Sequence, residues 1–180
     1  MTTKQMLRIL HILAWILFVG LGVEAGGFIV CAFFAAVNPA IVKNLWLWQD
    51  VDLSGLFSYP QHFLEITILM SITGVLKAVL FYLVVTILYD KKLDSPQPFS
   101  PQLGRFLSRI AYLSLLIGLC CRAGSAYAGY LAAQGIKLPD IRYLRLDADD
   151  VWLFMGLTLL VIAQIFKRGV AIQSENELTV

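Results

Sequence analysis

The sequence has few charged residues for its length. Asp, Glu, Lys and Arg make up 14% of 180 residues, whereas a soluble globular domain has about 25%. The formal net charge of +2 is too small to indicate direct binding of nucleic acid. Because 59% of the residues are hydrophobic and the mean hydropathy is +0.77, the composition indicates an integral membrane protein without a separate soluble domain.

The chain also has few residues of the kinds that catalytic and metal sites use. Its two histidines, His11 and His62, are expected near opposite membrane faces, so they would not share a metal or haem. The three cysteines, Cys31, Cys120 and Cys121, lie in apolar runs without CxxC spacing, where free cysteine acts as a small hydrophobe. No catalytic triad, HExxH pair or phosphate-binding glycine loop is present. The sequence therefore predicts no catalytic residue, no cofactor and no metal site, and it does not indicate an enzyme.

Long apolar runs are what the sequence has in abundance. A bilayer core of ~30 Å needs roughly 20 apolar residues per helix, and four runs are candidates for such spans. They cover residues 7–37, 61–89, 101–134 and 151–166, with a tail over 167–180. The first run is longer than the apolar part of a signal peptide, so we interpret it as an uncleaved span. We predict a single four-helix transmembrane domain over residues 1–180.

Local signals mark the ends of these spans. Proline disfavours helix at the residue before it, so Asn38 and Pro39 are expected to stop the first span. Ser100 is expected to cap the third span and Pro101 to occupy its first turn. Gly169 is expected to end the fourth helix and to leave an acidic segment in the cytoplasm. The first external loop is rich in aromatic residues and is expected to lie on the outer surface as an amphipathic lid; these residues are Trp46, Trp48, Phe57 and Tyr59.

The distribution of Lys and Arg predicts the orientation. One side of the spans carries more basic residues than the other, which places both termini in the cytoplasm by the positive-inside rule. The richer side has Lys4, Arg8, Lys91, Lys92, Arg105, Lys167 and Arg168, against Lys43, Lys137, Arg142 and Arg145. The fold predicted is an all-α membrane protein, an antiparallel up-down-up-down bundle with both termini in the cytoplasm.

Charged residues also occur inside the predicted spans. An unpaired charge at the bilayer centre costs at least ~2.5 kcal/mol, so such side chains usually face the bundle interior and find partners. Arg109 is near enough to the cytoplasmic face to snorkel. The remaining four, Glu24, Glu65, Lys77 and Arg122, form the candidate site. Small residues flank Glu24 and follow Arg122, and they would let the two helices approach closely. We expect Glu24 and Glu65 around Arg122, with Lys77 as a second, deeper cation.

Two interpretations of this cluster remain open. It is either a site for a polar ligand, an ion or a proton, as intramembrane charges often are, or an interhelical ion pair that determines which helices meet. On the first interpretation the chain is a sensory or regulatory protein, or else a small ion- or proton-coupled transporter or channel subunit. Thr67, Ser71 and Thr73 continue the polar residues only part of the way along the second span, which favours the regulatory role. A homo-oligomer is compatible with either role.

Two further segments are more distinctive than the spans. Residues 95–110 read SPQPFSPQLGRFLSRI and residues 165–180 read IFKRGVAIQSENELTV. With four spans in a short chain, they resemble the bacterial membrane family called domain of unknown function 2975. The resemblance implies a multipass protein of the cytoplasmic membrane with a helix-turn-helix regulator as a candidate partner on the cytoplasmic side. It carries no catalytic residues over to this chain.

Overall fold

A computed structural model of the chain describes residues 3–42, 54–89 and 100–178, and all regular structure in these ranges is helical. Six helices follow one another: α1 (Thr3–Val37), α2 (Pro39–Val42), α3 (Ser54–Phe57), α4 (Pro60–Tyr89), α5 (Pro101–Ala133) and α6 (Asp149–Leu178). Four of them, α1, α4, α5 and α6, are long and apolar enough to cross a membrane. The four predicted spans therefore correspond to four long helices.

The start of α5 follows the expected capping chemistry. Ser100 has an extended backbone, and its hydroxyl accepts a hydrogen bond from the Leu103 amide at 3.2 Å. Pro101 occupies the first turn, where its missing N–H would have no helical partner. The prediction of a helix start at Ser100 and Pro101 is confirmed.

The end of α6 differs from the prediction. The helix continues through Gly169 to Leu178, so Gly169 does not terminate it. A glycine inside a helix costs only about 1 kcal/mol relative to alanine. Half-buried Val170 and Gln173 lie on the continuing segment, and the residues around them are good helix formers. The tail is therefore helical for most of its length.

The aromatic external loop is described only at its end. Trp46 and Trp48 lie outside the described residues. Leu56 of α3 is fully buried, and the Phe57 ring lies 5.2 Å from the Phe63 ring of α4. This end of the loop packs its apolar side chains on α4, and the lid on the outer surface stays a prediction. Tyr59 is half exposed.

The long helices pack as two pairs. α1 packs mainly on α4 and α5 mainly on α6, while a less extensive contact between α4 and α5 joins the pairs. Near one end, the His11 ring of α1 lies 6.2 Å from the Tyr89 ring of α4. At that same end, Gly104 of α5 lies beside Phe166 of α6.

Two separate apolar cores lie along the helices. The larger core joins α1, α2, α3, α4 and α5 with residues 134–148, which we call the connecting segment because it links α5 to α6. Its buried members are Phe28, Cys31, Ala35, Val42, Leu56, Phe63, Ile66, Met70, Leu131, Ile136, Leu144 and Leu146. The smaller core lies between α4, α5 and α6 and contains Leu80, Ile110, Ile117 and Cys121. The larger core is thus built at the end of the molecule that holds the connecting segment.

Close glycine contacts hold α5 against α6. A Cβ atom added to Gly118 would lie 2.7 Å from Leu153 Cγ, and one added to Gly156 would lie 2.7 Å from Leu115 Cγ. In both cases a backbone nitrogen is also within 3.0 Å of the added atom, so the clash cannot be relieved by the side chain alone. The reciprocal contact lets the two backbones approach as small residues do in membranes.

We expect Gly118→Ala to destabilise the protein by about 1–3 kcal/mol, the usual cost of overpacking. The matched control is Gly129→Ala on the same helix, because no atom lies within 4 Å of the position of its added Cβ. Thermal unfolding in detergent should show a lower midpoint for Gly118→Ala and an unchanged or higher midpoint for Gly129→Ala. Equal midpoints for the two variants would contradict the packing described.

Candidate functional site

Glu24 on α1 pairs with an arginine that the sequence did not single out. Its Oε1 atom lies 2.6 Å from Arg145 Nε, which donates a hydrogen bond to it. Arg145 belongs to the connecting segment, so the pair joins the first helix pair to the chain that links α5 and α6. The Glu24 side chain is 26% exposed and the Arg145 side chain 61% exposed.

Lys77 on α4 contacts the same residue of the connecting segment, Arg145. Its ammonium group donates a hydrogen bond to the Arg145 carbonyl at 3.1 Å. The same group lies 5.7 Å from the centre of the Trp152 ring of α6, within the range of a cation–π contact. Arg145 is therefore held through its side chain by α1 and through its backbone by α4.

Arg122 on α5 has a different partner from the one predicted. Its guanidinium donates to Asp149 Oδ2 at 3.2 Å, and Asp149 is the first residue of α6. An acidic residue at a helix N-terminus is also favoured by the helix dipole. The expected contact between Glu24 and Arg122 is replaced by two pairs, because the connecting segment supplies Arg145 and the start of α6 supplies Asp149. We call Glu24, Lys77, Arg122, Arg145 and Asp149 the charged clasp.

Buried leucines and unusual backbone angles position Arg145. Leu144 and Leu146 on either side of it are fully buried. Arg145 and Ala148 have positive φ values of 56° and 60°, a conformation that costs a non-glycine residue roughly 1–2 kcal/mol. A Cβ added to Gly124 of α5 would lie 2.7 Å from Leu146 Cδ1, so the segment is seated tightly on α5. This packing keeps the strained turn in place and directs Arg145 toward Glu24.

The charged side chains are not enclosed by the protein as the sequence predicted. Among the described residues, the fully buried polar side chains are Thr67, Ser71, Thr73 and Ser114, none of which is charged. The Arg122 side chain is 74% exposed. The clasp lies at the surface of the helix pairs because its members lie at the edges of the helix contacts and on the connecting segment.

Glu65 lies away from the clasp and belongs to a second polar group. The Tyr127 hydroxyl of α5 donates a hydrogen bond to Glu65 Oε2, and His62 Nδ1 lies 2.8 Å from the Tyr127 oxygen. Since the phenol proton is used toward Glu65, His62 serves as donor through Nδ1–H. Twelve positions separate Glu65 from Lys77 on α4, or ~18 Å along the helix axis. The predicted grouping of Glu65 with Glu24 and Arg122 is therefore wrong.

Sequence reasoning missed Arg145, Asp149 and Tyr127 as partners. In the sequence, Arg145 contributes only to the count of basic residues that predicts the orientation. One signal for it was available, since Leu144 and Leu146 flank it in the pattern YLRLD and such alternation indicates a segment with one side packed. The acidic first turn of α6, Asp149 and Asp150, was a second signal.

The arrangement offers ion pairs and hydrogen bonds rather than a recognisable reaction centre. Within the described ranges, no group of three or more His, Cys, Asp or Glu side chains is placed to hold a metal ion. The chemistry visible at the clasp is the making and breaking of charge pairs between separate elements of the chain.

Comparison with known proteins places the chain in a family. Residues 57–180 match the family described as "Protein of unknown function (DUF2975)", which is more than half of the sequence. The chain therefore belongs to this family, and the resemblance found in the sequence is confirmed. No curated protein and no solved structure shows a significant match.

The partner assignment in the clasp is testable by mutant cycles. We expect Arg122→Gln and Asp149→Asn to be coupled by about 0.2–1 kcal/mol, as measured for exposed ion pairs. Glu24→Gln and Arg122→Gln should be additive, since the two side chains pair with different partners. Thermal unfolding of the parent, the single variants and the two double variants in lipid nanodiscs gives both coupling energies. A large coupling between Glu24 and Arg122 would contradict the structure.

The second polar group should stabilise the contact between α4 and α5. Tyr127→Phe removes the hydroxyl that serves both Glu65 and His62, so we expect a loss of about 0.5–1.5 kcal/mol, the net contribution of a hydrogen bond whose partners water can reach. Tyr130→Phe is the control, because Tyr130 is exposed on the same helix and its ring stacks on Tyr127. Equal stability of the two variants in thermal unfolding would show that the hydroxyl does not join the helices.

Proposed function

We propose that this member of the domain of unknown function 2975 family is a non-enzymatic regulatory or sensory protein of the bacterial cytoplasmic membrane. In this proposal the charged clasp holds the two helix pairs in one arrangement, and its opening changes the arrangement of their cytoplasmic ends. The observation that carries the proposal is the double attachment of Arg145, by Glu24 of α1 and by Lys77 of α4.

The position of the bilayer follows from the shortest apolar stretch. In α6 the stretch between Asp150 and Lys167 is ~26 Å long, close to the thickness of the hydrocarbon core. We therefore place the membrane along this span, with Asp149 at one edge and Lys167 at the other. Arg122 pairs with Asp149, so this pair is at the outer edge of the core when both termini are cytoplasmic, and Lys77, ~18 Å along α4 from Tyr89, lies deeper. At the outer edge, charged side chains reach water and headgroups at much lower cost than at the bilayer centre.

This placement gives the outer ends of the helices a role of their own. Beyond the clasp, α1 continues from Ala25 to Val37 for ~20 Å and α5 from Ala123 to Ala133 for ~16 Å. The larger core lies in this region, together with α3 and the connecting segment. We infer a small helical cap outside the membrane, standing on the clasp. A signal received by the cap would reach the membrane helices through Arg145.

The opposite orientation of neighbouring helices supports transmission through the bundle. Contacts between α1 and α4 pair an early residue of one with a late residue of the other, as His11 and Tyr89 do. α5 and α6 meet in the same sense, with Gly104 beside Phe166 and Arg122 beside Asp149. This pattern supports the up-down-up-down arrangement with both termini on one side. Loss of the clasp would leave the contact between α4 and α5 and the larger core to connect the two pairs.

The cytoplasmic end of α6 is the proposed output. Residues 167–178 extend past the membrane edge as helix, for ~18 Å. A helical extension with both charged and apolar residues is a suitable surface for a protein partner. A helix-turn-helix regulator, the partner implied by the family resemblance, is our candidate for that role.

A transcriptional measurement in the organism that encodes the protein tests the regulatory role. We expect deletion of the protein to change the transcript levels of a defined set of genes, and chromosomal Glu24→Gln to reproduce the change in part of that set. The matched control is Arg142→Gln, which removes an exposed arginine of the same segment outside the clasp. It should leave the transcripts as in the parent.

Reconstituted protein tests the transport alternative in parallel. Proteoliposomes containing the parent protein and a pH-sensitive dye should show no proton flux beyond that of empty vesicles. Flux that requires Glu24, together with unchanged transcripts in the deletion strain, would overturn the regulatory proposal and favour a transporter or channel subunit.

A further inference from the structure

A cavity lies between the end of α4 and the start of α5, away from the clasp. Its volume is about 290 Å³, and its polar lining consists of Thr86 from α4 with Gln102, Arg105 and Arg109 from α5. The remaining lining, including Phe106, is apolar. The cavity thus combines an apolar wall with two guanidinium groups.

The sequence of α5 places its polar groups on one face. Gln102, Arg105 and Arg109 are separated by three and four positions, the spacing that aligns side chains on a helix surface. The cavity is next to the N-terminal turns of α5, where the helix dipole adds positive potential. Neither arginine forms an ion pair with a carboxylate of the described residues. Two guanidinium groups without an ion-pair partner among the described residues therefore line one space.

The position of the cavity limits what can occupy it. Two contacts identify the helix ends that lie at the level of the cavity. His11 near the start of α1 contacts Tyr89 at the end of α4. Gly104 near the start of α5 lies beside Phe166, where the apolar stretch of α6 ends. Lys167 and Arg168 follow at this end. A bilayer therefore presents its headgroup phosphates at the level of the cavity. Basic pockets between membrane helices on the cytoplasmic side are sites for anionic headgroups.

We propose that this cavity binds a phosphate group, carried either by an anionic membrane lipid or by a soluble phosphate. Arg105 and Arg109 would bind the phosphate oxygens with their forked N–H donors, and Gln102 and Thr86 would supply further polar contacts. For a lipid, the apolar wall that contains Phe106 would accept the beginning of an acyl chain. The inference does not depend on the proposed role of the clasp.

Lipid retention in nanodiscs tests the proposal and separates the two sources. The protein is reconstituted in phosphatidylcholine with a minority of phosphatidylglycerol, and bound lipids are counted by native mass spectrometry after release. We expect the parent to retain phosphatidylglycerol over phosphatidylcholine. The double variant Arg105→Gln/Arg109→Gln should weaken retention about 30-fold more than the control below, since it loses two hydrogen bonds to the phosphate of about 1 kcal/mol each. Arg105→Lys/Arg109→Lys keeps the charge and should give an intermediate loss.

The control variant also removes two positive charges, at the same end of the molecule as the cavity. Lys167→Gln/Arg168→Gln lowers the net charge equally but lies outside the cavity lining. Equal losses in the two double variants would mean that only the surface potential attracts the lipid, and would overturn the proposal. Unfolding midpoints in pure phosphatidylcholine establish that each variant is folded, and the charge-retaining lysine variant replaces any glutamine variant that is not.

Thermal stabilisation by inorganic phosphate distinguishes the source of the ligand. In phosphatidylcholine nanodiscs, phosphate that raises the midpoint of the parent but not of Arg105→Gln/Arg109→Gln supports a site for a soluble phosphate. Selective retention of phosphatidylglycerol without a response to phosphate supports the lipid. Absence of both effects in the parent would overturn the proposal.

Discussion

The ion pair between Glu24 and Arg145 connects parts of the chain that otherwise meet over a limited area. The sequence has few charged residues, and this pair joins positions 121 residues apart. It ties α1 to the segment between α5 and α6, while Lys77 binds the backbone of the same arginine. The buried leucines on either side of Arg145 supply the apolar burial that keeps the turn in place. In this way one short segment joins both helix pairs.

The second constraint is the fixed thickness of the bilayer. α1, α4 and α5 each exceed the length needed to cross a ~30 Å core, whereas the apolar part of α6 does not. The excess length is used on one side, where it builds the larger core with α3 and the connecting segment. Charges that would be costly inside the membrane lie where the apolar part of α6 begins. In the proposed placement, these lengths make the clasp a joint between a membrane part and an outer cap.

Sequence reasoning predicted much of the fold and little of the site. The four spans follow from apolar length, and the start of α5 from Ser100 and Pro101, because these signals are local. The continuation of α6 through Gly169 was not predicted, since one unfavourable residue does not decide a helix whose neighbours favour it. Glu24 was recognised as unusual, but its partner depends on the path of a loop. That path is determined by the burial of Leu144 and Leu146, which is a property of tertiary packing.

A charge exchange between Glu24 and Arg145 tests the role of this pair most directly. Glu24→Arg alone and Arg145→Glu alone each place two like charges together, so both should lower the unfolding midpoint in nanodiscs. The double variant restores an opposite pair and should recover most of the stability of the parent. A double variant as unstable as the sum of the two single changes would show that the side chains do not meet, and would contradict the clasp.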